Sequence, residues 1–84
     1  MLGPIRDYDK RRRTSLMETL TKYFEHEGRV ASAAEALVLH PNTMYQRLSR
    51  LDRLLGDGWR SGDRALEVRL ALRFDHLRQM HKPL

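Results

Sequence analysis

The 84-residue sequence predicts an all-α fold, a small bundle of about four main helices. Apolar residues recur at intervals of three and four along most of the chain, which is the period of an amphipathic helix, and the alternation typical of a strand is absent. Residues that start or stop helices separate these segments. The chain contains no cysteine, so neither a disulfide framework nor a thiolate zinc site can substitute for a hydrophobic core.

The beginning of the chain divides into a lead-in and the start of the domain. Residues 1–13 are predicted to be a linker or lead-in, because a Gly-Pro pair is followed by a run of charges. Residues 14–84 are predicted to form the domain. Its first helix starts at Ser15, which matches a capping box with Glu18, each satisfying the other's free backbone N–H. Gly28 is predicted to end this helix.

Two further helices meet at a proline. A short second helix is predicted over about residues 31–37, and a third begins at Pro41, where a missing N–H costs nothing in the first helical turn. The third helix is predicted to end at about Leu55, before Gly56. The apolar positions expected to hold this motif, about residues 30–55, are Val30, Ala34, Leu37, Met44, Leu48 and Leu51.

The outward face of the third helix is rich in amide and guanidinium groups. On a helical wheel these groups lie across from the apolar edge. Two tightly joined helices of which the second offers such a face form a helix-turn-helix, whose second helix enters the major groove of DNA. Amides can pair with adenine and guanidinium groups with guanine. The candidate DNA-binding residues are His40, Asn42, Thr43, Tyr45, Gln46, Arg47, Ser49, Arg50 and Arg53.

Position along the helix suggests a role for each candidate. The side chains nearest the helix start lie deepest in a groove, so they are the candidates for reading bases: His40, Asn42, Tyr45 and Gln46. Thr43 and the free N–H groups at the helix start suit a phosphate, and the three arginines further along can reach phosphates or bases. Other roles remain open: Arg47 can bridge to Glu35, Tyr45 can cover the core edge, and Arg53 can pair with a neighbouring aspartate.

The charge balance indicates a polyanionic partner. The net charge is +5, and most of the sixteen basic residues are arginine, whose planar fork matches phosphate and guanine edges. A solvated surface in an arginine-rich protein would give the same balance, so charge alone does not decide between the two. The run KRRR at residues 10–13 can bind phosphate groups, although a solvated linker is the simpler interpretation.

The last helix, predicted over about residues 63–80, has apolar residues on two sides. The stripe expected to face the core consists of Leu66, Leu70, Phe74 and Leu77. Ala65, Val68 and Leu72 lie on the opposite side, which is either buried within the domain or in contact with another chain. Trp59, in the turn-rich connection before this helix, is expected to close the end of the core.

Several other functions find no support in the sequence. No nucleophile–base pair or glycine-rich phosphate loop is recognisable, so neither an enzyme nor a cofactor is expected. His76 and His81 diverge by about 140° on a helix, which is unsuitable for a shared metal ion. No apolar run approaches the roughly 18 residues of a membrane span, and no signal peptide is recognisable, so a cytoplasmic protein is expected.

The motifs together resemble the C-terminal DNA-binding domain of PucR/CdaR-type bacterial transcriptional regulators. That family has a lead-in of the form DYD…L…TL…Y, an alanine-rich helix, and then H-x-N-T-(apolar)-x-x-R-(apolar)-x-R-(apolar). The matching residues of the last motif are His40, Asn42, Thr43, Met44, Arg47, Leu48, Arg50 and Leu51. The closing segment LEVRLALRF is similar to the family's final helix, so the resemblance extends over about residues 2–77.

The resemblance implies a Fis-like helix-turn-helix that follows a larger sensory or dimerising region of the same chain. It further implies double-stranded DNA as the partner and a homodimer in the full-length protein. Many members have Arg-Tyr where this chain has Tyr45-Gln46, and a capping serine where it has Ala31. A helical interaction or dimerisation module that does not bind DNA is the alternative function.

Overall fold

A computed structural model describes residues 2–80, and this range contains five α-helices and no strand. The helices are α1 (Gly3–Arg12), α2 (Leu16–Glu25), α3 (Val30–Ala36), α4 (Pro41–Leu55) and α5 (Gly62–Met80). Helix α2 is central and packs against α1, α3 and α4. The all-α prediction is confirmed. None of the helices within the described range is both long and apolar enough to cross a membrane. His81, considered above as a metal ligand, lies outside the described residues.

Residues 1–13, predicted to be a linker or lead-in, include a helix that was not predicted, because residues 3–12 form α1. Pro4 lies in the first turn, where its fixed φ suits a helix. Leu2 and Ile5 are buried in the core, and Tyr8 packs against it from the next turn. These apolar residues are spaced by three, but charged residues outnumber them, so the sequence showed a charge run rather than an amphipathic helix.

The N-terminus of α2 is capped by a side chain of α1. Asp9 accepts hydrogen bonds from the backbone N–H of Leu16 at Oδ1 (2.8 Å) and of Met17 at Oδ2 (2.9 Å), and from the Thr14 hydroxyl. The Ser15 side chain makes no capping bond, so the predicted capping box is wrong. A carboxylate is the stronger acceptor at the positive end of a helix, and it also ties α1 to α2.

The buried core is formed mainly by α2 and α4, with one face each of α1, α3 and α5. Its apolar members are Leu2, Ile5, Leu16, Leu20, Tyr23, Ala33, Ala34, Met44, Leu48, Leu51, Leu55, Trp59 and Val68. Of the predicted motif core, Val30 and Leu37 are half-buried at its edge. Trp59 is fully buried and closes one end of the core, as predicted.

Helix α5 buries the second of its two apolar sides within the domain and leaves the main stripe exposed, contrary to the expectation for that stripe. Val68 is fully buried and Leu72 is half-buried, while the stripe of Leu66, Leu70, Phe74 and Leu77 is 48–66% exposed. The helical wheel gives a reason: Arg73 lies at the edge of that stripe, about 20° from Leu66, and burying the stripe would bury part of an unpaired guanidinium. The other side carries Asp75, which finds a cationic partner in Arg6 of α1.

The ion pair between Arg6 and Asp75 fastens α5 to α1. The Asp75 carboxylate is 12% exposed and also receives a hydrogen bond from Arg78 of its own helix. Burial raises the pKa of Asp75, but the hydrogen bond and charge of Arg6, and then those of Arg78, outweigh it, so the pKa lies below its ordinary value. Because the unfolded chain then binds the proton more readily, this contribution to stability is present at neutral pH and is lost in acid.

We expect Asp75→Asn to lower the free energy of unfolding by about 1–2 kcal/mol at pH 7. The difference should begin to shrink as the pH falls below about 4, where the unfolded wild-type chain becomes protonated at Asp75. It should shrink further until the folded carboxylate is protonated as well. Urea unfolding followed by circular dichroism between pH 7 and pH 3 measures both effects. Glu25→Gln, in the exposed pair with Lys22, is the control and should change little. A difference that stays constant down to pH 3 would contradict the role given to the Asp75 charge.

The turn between α3 and α4 is a Schellman motif with a valine at the left-handed position. The Leu39 N–H donates to the Ala34 carbonyl (2.8 Å) and the Val38 N–H to the Glu35 carbonyl (3.0 Å). Val38 has a φ of 57° and is 90% exposed. A β-branched residue is strained in this conformation, which glycine adopts freely, and Val38 gains no burial in return.

We therefore expect Val38→Gly to stabilise the domain by about 0.5–1 kcal/mol, the released strain being partly offset by the greater freedom of glycine in the unfolded chain. Urea unfolding of the two proteins measures the difference. Ala36→Gly, two residues earlier at the last position of α3 and also exposed, provides the control and should destabilise by about 0.5–1 kcal/mol. Destabilisation by Val38→Gly would show that the turn is not strained.

Candidate nucleic-acid interface

The first turn of α4 is fixed by His40 and Pro41. His40 has an extended backbone and caps the helix, since its Nδ1 accepts a hydrogen bond from the Asn42 N–H (3.1 Å). Pro41 occupies the first helical position, as predicted. His40 is exposed, and its Nε2 remains available beside the free N–H of Thr43. This end of α4 therefore offers donors and a partial positive charge to a ligand.

The polar face of α4 is open to solvent. Its opposite edge is fixed in the core, where Met44, Leu48 and Leu51 have no exposed surface. Thr43 is half-buried at the boundary between the two faces. The exposed candidates are His40, Asn42, Tyr45, Gln46, Ser49, Arg50 and Arg53. The helix is thus held by one edge and presents amide, hydroxyl and guanidinium groups on the other.

Arg47 is the exception among the candidates, because it is half-buried and bound within the fold. Its Nη1 donates to Oγ1 of Thr19 on α2 at 3.1 Å. Thr19 is completely buried, and its hydroxyl donates in turn to the Ser15 carbonyl (2.9 Å). The bridge to Glu35 that the sequence left open is not formed. Arg47 therefore anchors α4 to α2, a contact that the sequence did not suggest.

Two alternative roles left open by the sequence are not observed: Tyr45 does not cover the core edge, and Arg53 does not pair with a neighbouring aspartate. Tyr45 is 56% exposed, so it does not serve to cover the core edge. Arg53 is exposed and has no carboxylate within 4 Å among residues 2–80. The neighbouring Asp52 instead binds Arg60 and accepts a hydrogen bond from the Trp59 indole. Both side chains remain available for an external partner.

Arg50 is held at the exposed surface by Tyr8 of α1. Its Nη1 donates to the tyrosine hydroxyl, and its guanidinium carbon lies 5.7 Å from the centre of the ring. Arg12 lies over the same ring at 5.9 Å. Sequence reasoning missed the role of Tyr8 because α1 was not predicted. Its signals were the spacing of three from Leu2 and Ile5 and its place in the DYD lead-in.

Comparison with known families shows to which protein family the chain belongs. Residues 16–74 match the model of the PucR C-terminal helix-turn-helix domain. The chain belongs to this family. It is a helix-turn-helix family and not an enzyme family, and the resemblance stated above is confirmed. The PucR match begins at the start of α2, so helix α1 lies outside the matched residues.

Two proteins of Bacillus subtilis (strain 168) are similar to this PucR-type domain. The purine catabolism regulatory protein is 35% identical over 63 residues, which are 75% of this chain and 12% of that protein. The DNA-binding transcriptional activator AdeR is 24% identical over 76 residues, which are 90% of this chain and 18% of that protein. The chain therefore corresponds to less than a fifth of either relative. No solved structure matches the chain.

The unpaired positive charges of the PucR-type domain lie mostly on two helices. Within residues 2–80, the basic residues that form ion pairs with a carboxylate are Arg6, Lys22, Arg29, Arg60, Arg64 and Arg78. The described cations with no carboxylate within 4 Å are Lys10, Arg11, Arg12, Arg13, Arg47, Arg50, Arg53, Arg69 and Arg73. Apart from the last two, which lie on α5, all are at the end of α1 or on α4. Unpaired cations beside a polar helix face are suited to a polyanion.

Proposed function

We propose that this chain binds double-stranded DNA sequence-specifically, as the C-terminal module of a bacterial transcriptional regulator, with α4 in the major groove. The observation that carries the proposal is the exposed polar face of α4, opposite an edge that is completely buried. A helix held in this way can enter a groove without unfolding the core. The names of the two relatives, a regulatory protein and a DNA-binding activator, support the same function.

In the proposed complex, α3 lies across the backbone and α4 reads the bases. Asn42 and Gln46 are one turn apart on the exposed face, and each amide can pair with the edge of an adenine. Tyr45 and Ser49 extend this surface. The free N–H of Thr43, with its side chain, suits a phosphate at the positive end of the helix. Arg47 takes part indirectly, by fixing the orientation of α4.

The two exposed arginines of α4 have different surroundings. Arg53 is unrestrained and can reach a guanine or a phosphate. Arg50 is already bound to Tyr8, which limits its reach. A side chain fixed before binding loses less conformational entropy in the complex, so Arg50 is suited to one defined partner.

The proposal extends to the protein of which this domain is a part. Helix-turn-helix modules commonly act as pairs on symmetric half-sites, so we propose a homodimer in the full-length protein. We further propose an upstream sensory region in the same chain, as the resemblance implies, and a cytoplasmic location, where the chromosomal DNA lies. A single isolated module should bind less tightly than the pair.

Selection of bound duplexes from a random library tests the proposal directly. A recovered sequence motif would establish specificity, and two copies at a fixed spacing would indicate paired modules. Fluorescence anisotropy with the selected duplex and a random one, across a series of salt concentrations, then gives both affinities. Absence of binding to any duplex at low salt and high protein concentration would refute the proposal.

The second candidate function is a helical interaction or dimerisation module. The exposed stripe of α5 favours it, because Leu70 and Leu77 are each 48% exposed and Phe74 is 66% exposed. Such a module would lose self-association or partner binding with Phe74→Glu and would be indifferent to changes on α4. Sedimentation velocity of the wild type and of Phe74→Glu, beside the DNA titration, separates the two functions.

A further inference from the structure

We infer that the basic end of α1, residues 10–13, is a second contact for the phosphate groups of DNA, beside α4. The inference rests on the proposed function and extends it to a helix outside the residues matched by the family model. The basic end consists of Lys10, Arg11, Arg12 and Arg13. All four side chains are exposed, and none has a carboxylate within 4 Å in the described part of the chain.

Tyr8 joins this basic end to α4. Arg12 of α1 and Arg50 of α4 both lie over its ring, at 5.9 and 5.7 Å from the centre, and Arg50 also binds its hydroxyl. Two like charges on one aromatic ring repel each other, and an anion between or beside them would relieve that repulsion. The two helices therefore present one continuous cationic surface.

The usual structural reason for basic residues at a helix end explains only part of the cluster. Cations stabilise the negative C-terminal end of a helix, and Arg11 does bind a backbone carbonyl, that of Asp7, at 3.4 Å. Arg12 instead lies over Tyr8, and Arg13 has left the helix with a φ of 53°. Neither acidic residue of α1 forms an ion pair with them among the described residues, and Asp9 is used as the cap of α2.

The DNA backbone is the partner that fits this position. The basic end is attached through Tyr8 to the helix proposed to lie in the groove, so a duplex that contacts Arg50 passes close to Arg12. Phosphates flank the groove on both sides and carry no sequence information. Contacts from α1 should therefore raise affinity equally for every sequence, while α4 discriminates between sequences.

The test compares two double variants with the same loss of charge. Arg12→Gln with Arg13→Gln removes two charges from the basic end, and Arg69→Gln with Arg73→Gln removes two unpaired charges from α5. Binding to the selected duplex and to a random duplex is measured by anisotropy across a salt series. For the α1 variant we expect the slope of log affinity against log salt to fall by about two, and affinity for both duplexes to weaken by the same factor. The α5 variant should keep the wild-type slope.

Each outcome decides one point. An α1 variant with the wild-type slope would overturn this inference while leaving the proposed function intact. Equal losses in the α1 and α5 variants would show a general effect of net charge and would also overturn it. Failure of the wild-type domain to bind any duplex would instead refute the proposed function itself. Thermal melting of both variants should match the wild type, because all four side chains are exposed.

Discussion

Replacing Asn42, Gln46 and Arg50 together by alanine is expected to abolish the preference of the domain for its operator, the DNA sequence recovered by the selection, over random DNA. Each lost base contact costs about 1–3 kcal/mol, so affinity for the selected duplex should fall at least a hundredfold. Binding to random DNA should fall much less, because only one of the three side chains carries a charge and the salt slope should drop by about one. Anisotropy titrations with both duplexes in one buffer measure the two effects.

The result is informative only if the variant remains folded. All three side chains are exposed, and the one internal contact among them is that of Arg50 with Tyr8, so the melting temperature should change little. Gln79→Ala with Arg73→Ala on α5 is the control with the same loss of charge, since one amide and one guanidinium are removed from another helix. Unchanged operator binding by the triple variant would exclude α4 as the recognition helix.

Features that depend on neighbouring residues could be predicted from the sequence. The start of α4 follows from Pro41, which fits only the first turn of a helix. Its two faces follow from the helical period alone, so the buried edge of Met44, Leu48 and Leu51 and the exposed polar face agree with the prediction. The placement of Trp59 could be predicted because the one tryptophan of so small a domain has few other places to be buried.

Features that depend on pairing between distant helices could not be predicted. Asp9 replaces Ser15 as the cap of α2 only because α1 folds back against that helix. The anchoring of Arg47 requires Thr19, which is 28 residues away.

The buried side of α5 shows the same limit most clearly. Both sides are apolar enough to be buried, and helical periodicity cannot choose between them. The choice depends on whether Asp75 finds a cation and whether Arg73 would be left without an anion, which is decided by the position of Arg6 in the folded chain.

Trp59→Ala is expected to destabilise the domain strongly. Trp59 has no exposed surface and contacts Tyr23 and Phe24 with ring centres at 5.3 and 5.7 Å. Truncating a buried tryptophan costs about 3–5 kcal/mol, and a domain of this size is stable by only about 4–12 kcal/mol. The indole N–H also donates to Asp52 at 2.7 Å, so the substitution leaves that carboxylate with Arg60 as its remaining partner. Thermal melting followed by circular dichroism should show a decrease of about 15–30 °C.

A second variant separates packing from the hydrogen bond. Trp59→Phe keeps an aromatic ring in the core but removes the donor to Asp52, so it should cost less, about 1–3 kcal/mol. Because Asp52 and Leu55 belong to the last turns of α4, unfolding around Trp59 should reduce binding to operator and random duplexes alike. The triple change on α4 should instead leave most random binding intact, which distinguishes loss of the scaffold from loss of base recognition. A melting temperature for Trp59→Ala within about 5 °C of the wild type would show that the aromatic cluster contributes little to stability.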